Sequence, residues 1–112
     1  MKIAIIGSRS LNINCLENYL PKECTEIVSG GAVGIDSLAE KLAISKGLKL
    51  TVFLPQYSKY GRGAPIVRNK QIVDHADMVL AFWDGKSRGT LSVIKYCQKT
   101  EKKHSVILLN NN

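Results

Sequence analysis

Glu26-Ile27-Val28 runs into Ser29-Gly30-Gly31-Ala32-Val33-Gly34, and Ile35-Asp36-Ser37-Leu38-Ala39 then opens a helical pattern. A short apolar run, a glycine-rich turn and an amphipathic helix in succession form one strand–helix unit of a parallel sheet. Ile35, Leu38, Ala39, Leu42 and Ala43 share one helix face, and Gly47 suits its C-terminal cap. Upstream, Lys2–Ile6 is apolar and ends at Gly7, as a strand buried on both faces does. Ile13, Leu16 and Leu20 follow at helical spacing, and Pro21 predicts the end of that helix. Downstream, Leu50–Leu54 reads as a third strand stopped by Pro55. Gln56–Ala64 is polar and long for a strand-to-helix connection, so a flexible loop is expected there.

The alternation continues to the end of the chain. Pro65 is placed to open a helix in which Asn69, Ile72, Val73 and Ala76 share a face. Asp77–Phe82 is a fourth strand, Trp83–Gly89 a loop, Thr90–Lys102 a helix and Ser105–Leu109 a last strand. Asn110-Asn111-Asn112 reads as a frayed tail. This pattern predicts a single domain over residues 1–112. Its fold class is α/β: a doubly wound, five-stranded parallel sheet with helices on both faces. Right-handed crossovers favour the order 3-2-1-4-5, with a switch point between the first and fourth strands. Ligands of such sheets bind beyond the carboxyl ends of the strands at that point.

The 45% apolar content suits a globular core, and no apolar run approaches the roughly 18 residues of a membrane helix. Lys2–Ile6 is too short for a signal peptide, so a cytoplasmic location with no membrane partner is expected. Cys15, Cys24 and Cys97 show no metal-ligand spacing and read as reduced, partly buried thiols, with no metal site. The net charge of +7 is uneven. Residues 1–45 carry four basic and five acidic groups, residues 46–112 twelve and four. Such a field favours anionic partners.

Three loops leave the predicted carboxyl edge. They are Gly7-Ser8-Arg9-Ser10, Ser29-Gly30-Gly31-Ala32-Val33-Gly34-Ile35-Asp36, and Asp84-Gly85-Lys86-Ser87-Arg88-Gly89-Thr90. Each precedes a helix, where unpaired amides stabilise an anion. Glycines let a phosphate approach the backbone, and hydroxyls, Arg9 and Arg88 add donors. The spacing is neither that of the dinucleotide fingerprint nor that of a Walker A loop. Asp36 is suited either to the amides of the first helical turn or to a ribose hydroxyl. Arg68 and Asn69 are placed to meet an anion and a base or sugar. Trp83 either stacks on a base or packs at the sheet edge. His75 and His104 are expected to stand isolated from any partner.

Ile6-Gly7-Ser8-Arg9, Ser29 to Ala39, Arg68-Asn69-Lys70-Gln71-Ile72-Val73 and Trp83 to Thr90 together resemble the SLOG superfamily of Rossmann-like domains. That group includes DNA-processing protein A, the Lonely Guy phosphoribohydrolases and molybdenum-cofactor carrier proteins. The small YpsA-related branch, with its Trp-Asp-Gly-x-Ser-x-Gly-Thr segment, is the nearest in pattern. The resemblance implies a nucleotide-type ligand held by these loops, with no other cofactor required. It also implies a homodimer, which members often form and which exposed edge strands would support. Lonely Guy enzymes carry a Glu that helps cleave the N-glycosidic bond; here Val93 stands in its place. The hydrolysis of that branch therefore lacks its acid/base group, and Glu101 lies too far along the helix to replace it.

Three functional readings result. The favoured one, carried by three converging loops, is a sensor or carrier that binds a nucleotide or nucleotide derivative. In it Gly7, Arg9, Gly30, Gly31, Arg68, Ser87, Gly89 and Thr90 contact phosphate. The second is a single-stranded DNA-binding protein akin to DNA-processing protein A, with Lys59, Tyr60, Arg62, Lys86 and Arg88 tracking the strand. The third is an N-glycosidic hydrolase using Asp36 or Asp84. In all three, the Gln56–Ala64 loop suits a lid.

Overall fold

A strand with neighbours on both sides and helices on both faces has no solvated position, and Lys2–Gly7 (β1) is built accordingly. Ile3 and Ile5 enter one apolar cluster and Ala4 and Ile6 the other, all essentially free of solvent contact. The computed structural model describes residues 1–109. Around β1 lie β2 (Glu26–Ser29), β3 (Lys49–Val52), β4 (Met78–Trp83) and β5 (His104–Leu108). All pairings are parallel and the order is β3-β2-β1-β4-β5, as the sequence predicts. The expected third and fifth strands start and end slightly later than observed, and the expected fourth strand one residue earlier.

Helix α1 (Ile35–Lys46) packs Ile35, Ala39, Leu42 and Ala43 on the cluster containing Ile3 and Ile5. Gly47 caps it in the left-handed conformation at φ +66°. Helices α3 (Ala64–His75) and α4 (Arg88–Thr100) cover the other face through Ile72, Val73, Val93, Ile94 and Cys97. Burial pushes the Cys97 thiol up to about 11, and Cys24 is buried as well. Cys15 is exposed rather than partly buried. The Asn110-Asn111-Asn112 tail lies outside the described residues.

Two expected features are corrected. The helix predicted from Ile13, Leu16 and Leu20 is a single 3-10 turn, Leu16–Tyr19. Pro21 holds Leu20 extended at ψ 123°, and Asn12 and Asn14 compete with helical hydrogen bonds upstream. Too few residues remain to repay helix nucleation. The spacing reported burial rather than an α-helix: Leu16 is in the core, with Ile13 and Leu20 packed against it.

The stretch expected as an open loop is also ordered. Tyr57–Tyr60 forms a helical turn (α2), with Gln56 O accepting from the amides of Lys59 and Tyr60. A 3-10 turn over Gly61–Gly63 then leads into α3. Gly61, at φ +57° and ψ −134°, supplies the break between them.

His75 is not isolated. Its Nε2 lies 2.6 Å from Oε2 of Glu26, which also accepts from Thr51 Oγ1 at 2.9 Å. Lys49 Nζ stands 3.7 Å from the other oxygen. Burial disfavours the charge on Glu26, but these three partners outweigh it and hold the carboxyl below its usual range. The pair ties the end of α3 to β2. His104 is held locally, with Nδ1 2.8 Å from Lys102 O.

A carboxyl depressed by folding contributes stability above its unfolded pKa and loses it as pH falls through the folded value. Glu26→Gln should therefore lower stability by about 1–3 kcal/mol at neutral pH. Urea denaturation across pH should show the gap from wild type narrowing below the ordinary carboxylate range. A gap that widens on acidification would contradict the assignment.

Candidate functional site

The close approach of three loops builds a cleft at the carboxyl edge of the sheet. A Cβ on Gly7 would lie 2.6 Å from Cβ and Cγ1 of Ile35, so the end of β1 touches the start of α1 only because Gly7 has no side chain. Gly34, at φ +79°, would place a Cβ 2.6 Å from Arg9 O, which locks the first loop against the second. Ser8 ties the first loop to the third. Its amide donates to Phe82 O at 3.0 Å, its Oγ accepts from Asp84 N at 3.3 Å, and Thr90 Oγ1 lies 3.4 Å away.

The third loop is organised by its own side chains. Asp84 Oδ1 accepts from the amides of Ser87 at 2.7 Å and Lys86 at 2.8 Å, which hold its carboxyl below the usual range. Ser87 caps α4 by accepting from Thr90 N at 3.3 Å. Trp83 Nε1 donates to Ser87 O at 3.0 Å, and the indole packs against the core. The second loop is held by Ser29 and Asp36. Ser29 Oγ accepts from Gly31 N and donates to Glu40 Oε2, each at 3.2 Å. Asp36 Oδ2 accepts from Ala32 N at 3.3 Å. Burial raises the Asp36 pKa, against the pull of the Ala32 amide and Arg68.

The cleft measures about 420 Å³, within the roughly 300–1,000 Å³ typical of small-molecule sites. Of the residues singled out in the sequence, Gly7, Ser8, Arg9, Asp36, Arg68, Asn69, Asp84, Ser87, Gly89 and Thr90 line it. Ser29, Gly30, Gly31, Gly34, Trp83, Gly85 and Arg88 do not; the first four and Trp83 shape the loops behind it. Lys59, Tyr60 and Arg62 also lie outside the wall. Ser10, Ala32 and Pro65 join the wall without having been assigned a ligand contact, although Ser10 and Ala32 lie within the quoted loops and Pro65 opens the helix that carries Arg68. Ile6, Ile72 and Val93 form apolar parts of the wall; only Val93 is marked in the sequence, by the resemblance that puts a Glu at its position, and composition does not separate the other two from core residues. The wall is thus apolar at Val93, where the Lonely Guy comparison expects a carboxylate.

Arg68 is the electrostatic centre of the cleft. Its Nη1 donates to Gly30 O at 2.7 Å and its Nε to Asn69 Oδ1 at 2.9 Å. Among the described residues the ion pairs within 4.0 Å both involve Glu26, so no carboxylate pairs with Arg68. Asp36 lies beyond that limit but close by: a Cβ on Gly30 would crowd both groups, 2.9 Å from Asp36 Oδ2 and 3.0 Å from Arg68 Nη1. Burial lowers the Arg68 pKa, with Asp36 and Tyr57 acting the other way. The guanidinium is thus half-buried, oriented by neutral acceptors and open to an anion.

A family model described as DNA recombination-mediator protein A matches residues 1–60, which run from β1 through α2. No curated protein and no solved structure matches the chain. Among the described residues, no helix is long and apolar enough to cross a membrane.

The Gly34 contact is open to a direct test. Gly34→Ala combines a strained backbone with a collision against Arg9 O and should cost about 2–4 kcal/mol in chemical denaturation. Gly63→Ala, at negative φ with nothing within 4 Å, should stay within about 1 kcal/mol of wild type. Equal effects would mean that the two loops are not locked together.

Proposed function

We propose, from the premise that this chain belongs to the DNA recombination-mediator protein A family, that its cleft binds a nucleotide or nucleotide derivative by its phosphate. The observation that carries this reading is Arg68, a half-buried cation with no carboxylate partner in a cleft shared with the N-terminal turn of α4. A charge drawn partly out of water and left unpaired gains most from an incoming anion. Gly89 brings an amide of the first turn of α4 to the same space, where the helix dipole also favours negative charge, while the Thr90 amide is held by Ser87 Oγ. Ser8, Ser87 and Thr90 add hydroxyls, with Thr90 Oγ1 3.4 Å from Ser8 Oγ and 3.3 Å from Ser87 Oγ.

Binding without cleavage is the better-supported activity. Asp84 spends one oxygen on two amides and is held ionised, which suits a loop fastener rather than a general acid. Asp36 is committed in part to the Ala32 amide. Val93 offers no proton at the wall. The domain then acts as a sensor or carrier, its output depending on occupancy.

A second reading is single-stranded DNA binding. The family description and the basic excess of residues 46–112 favour it, as do exposed Lys59 and Arg62 on the segment leading into α3. The two readings separate by salt, because a strand neutralising several phosphates loses affinity steeply as salt rises.

A thermal-shift screen with mononucleotides, dinucleotides, ADP-ribose derivatives and a short single-stranded oligonucleotide, each at two salt concentrations, tests both. A salt-tolerant rise in Tm with a small nucleotide is the expected result. A rise with the oligonucleotide alone, lost at high salt, would replace it with the DNA reading. Arg68→Gln should weaken the bound nucleotide about ten- to hundredfold, the value of a charged hydrogen-bonded contact. No shift with any nucleotide at millimolar concentration would sink the proposal.

A further inference from the structure

The chain holds seven aromatic side chains, and six of them have a partner. Tyr19 packs edge-on against Phe82, and Phe53 against His75. Tyr60 lies under Lys59, Tyr96 binds Asp74 and lies under Lys70, and Trp83 donates to Ser87 O. Among the described residues Tyr57 stacks on no ring, has no cation over its ring and makes no side-chain hydrogen bond, although it lies near enough to Arg68 to act on its charge, and 60% of it is exposed. An aromatic ring left in water on a helical turn has a large apolar face to cover.

Its position gives that face a purpose. Tyr57 opens α2, which packs against α3, and the first turns of α3 place Pro65, Arg68 and Asn69 in the cleft wall. Exposed Val33 and Ile66 each adjoin a wall residue, Ala32 and Pro65 respectively. Leu54, 62% exposed, lies against the second loop, where a Cβ on Gly31 would sit 2.5 Å from its Cδ2. Phosphate-seeking groups therefore lie inside the cleft, while the exposed apolar side chains of these neighbouring segments (the shelf) lie outside its wall, with Tyr57 close enough to Arg68 to act on its charge. A phosphate joined to a flat, apolar ring system fits both.

We propose that Tyr57 is the stacking platform for the base of the nucleotide whose phosphate occupies the cleft. This rests on the nucleotide reading above and adds the ligand part that the cleft itself does not recognise. A ring stacked on one tyrosine is held by its π-face, so the subsite selects for a base without selecting strongly among bases. Trp83, the aromatic first considered for this role, is turned into the core and does not line the cleft.

The test is calorimetric titration of the full chain with the four ribonucleoside 5′-monophosphates and, separately, ribose 5-phosphate. Tyr57→Ala should weaken the nucleotides about tenfold and leave ribose 5-phosphate unchanged, as expected for removal of one base–aromatic stack. Tyr57→Phe should bind as wild type does. Because the side chain is exposed and unpartnered, both variants should melt with the wild type. Equal weakening of nucleotides and ribose 5-phosphate, or no weakening of either, overturns the platform while the nucleotide reading stands. Failure of wild type to bind either ligand class overturns both together. If sedimentation shows a wild-type dimer that Tyr57→Ala dissociates, a second copy covers the shelf and the platform is overturned.

Discussion

A single carbon added at position 7 would collide with Ile35, and the cleft depends on that contact being as close as it is. β1 is the middle strand, with β2 and β4 on either side, so its carboxyl end lies where the crossovers diverge. Gly7 lets α1 start directly against that end. Gly34 then brings the second loop onto the backbone of Arg9, and Ser8 reaches the other way to Asp84 and Thr90. The three loops are thus fixed relative to one another by two missing side chains and one buried hydroxyl. The wall can present amides and hydroxyls to a ligand without reorganising first.

Helix α3 holds two charged arrangements of opposite character. At its end, His75 meets a Glu26 that is satisfied by three partners and buried. About two turns earlier, Arg68 has two neutral acceptors and no counter-ion within reach of the ion-pair limit. A fully paired buried charge fixes position, whereas an incompletely paired one is disposed to bind. The helix is anchored at the amino edge of the sheet and receptive at the carboxyl edge. Asp36, kept out of contact with Arg68, tempers the field of the guanidinium without neutralising it.

The parallel sheet and its strand order were legible because apolar runs, glycine turns and one strongly periodic helix leave few alternatives. The first crossover was misread because Ile13, Leu16 and Leu20 satisfy a burial pattern that a 3-10 turn also fulfils. The 56–64 segment looked open because its residues are polar, yet a backbone turn at Gln56 needs no apolar face. In the candidate site, hydroxyls, glycines and charged residues announced themselves by type. Ile6, Ile72 and Val93 did not, since an apolar side chain on a cleft wall and one in a core read alike. The His75–Glu26 pair joins residues 49 apart and becomes visible only once strand and helix are placed.

The pairing of β1 with β4 also orders events in time. Residues 1–60 supply β1, β2, β3 and two of the three loops, and within them β2 pairs with both β1 and β3. The third wall must wait for a return to the middle of the sheet, because Ser8 meets Thr90 across 82 positions of chain. The cleft therefore closes only when the chain has been followed through Thr90: residues 1–60 carry two of its three loops and cannot form its wall alone.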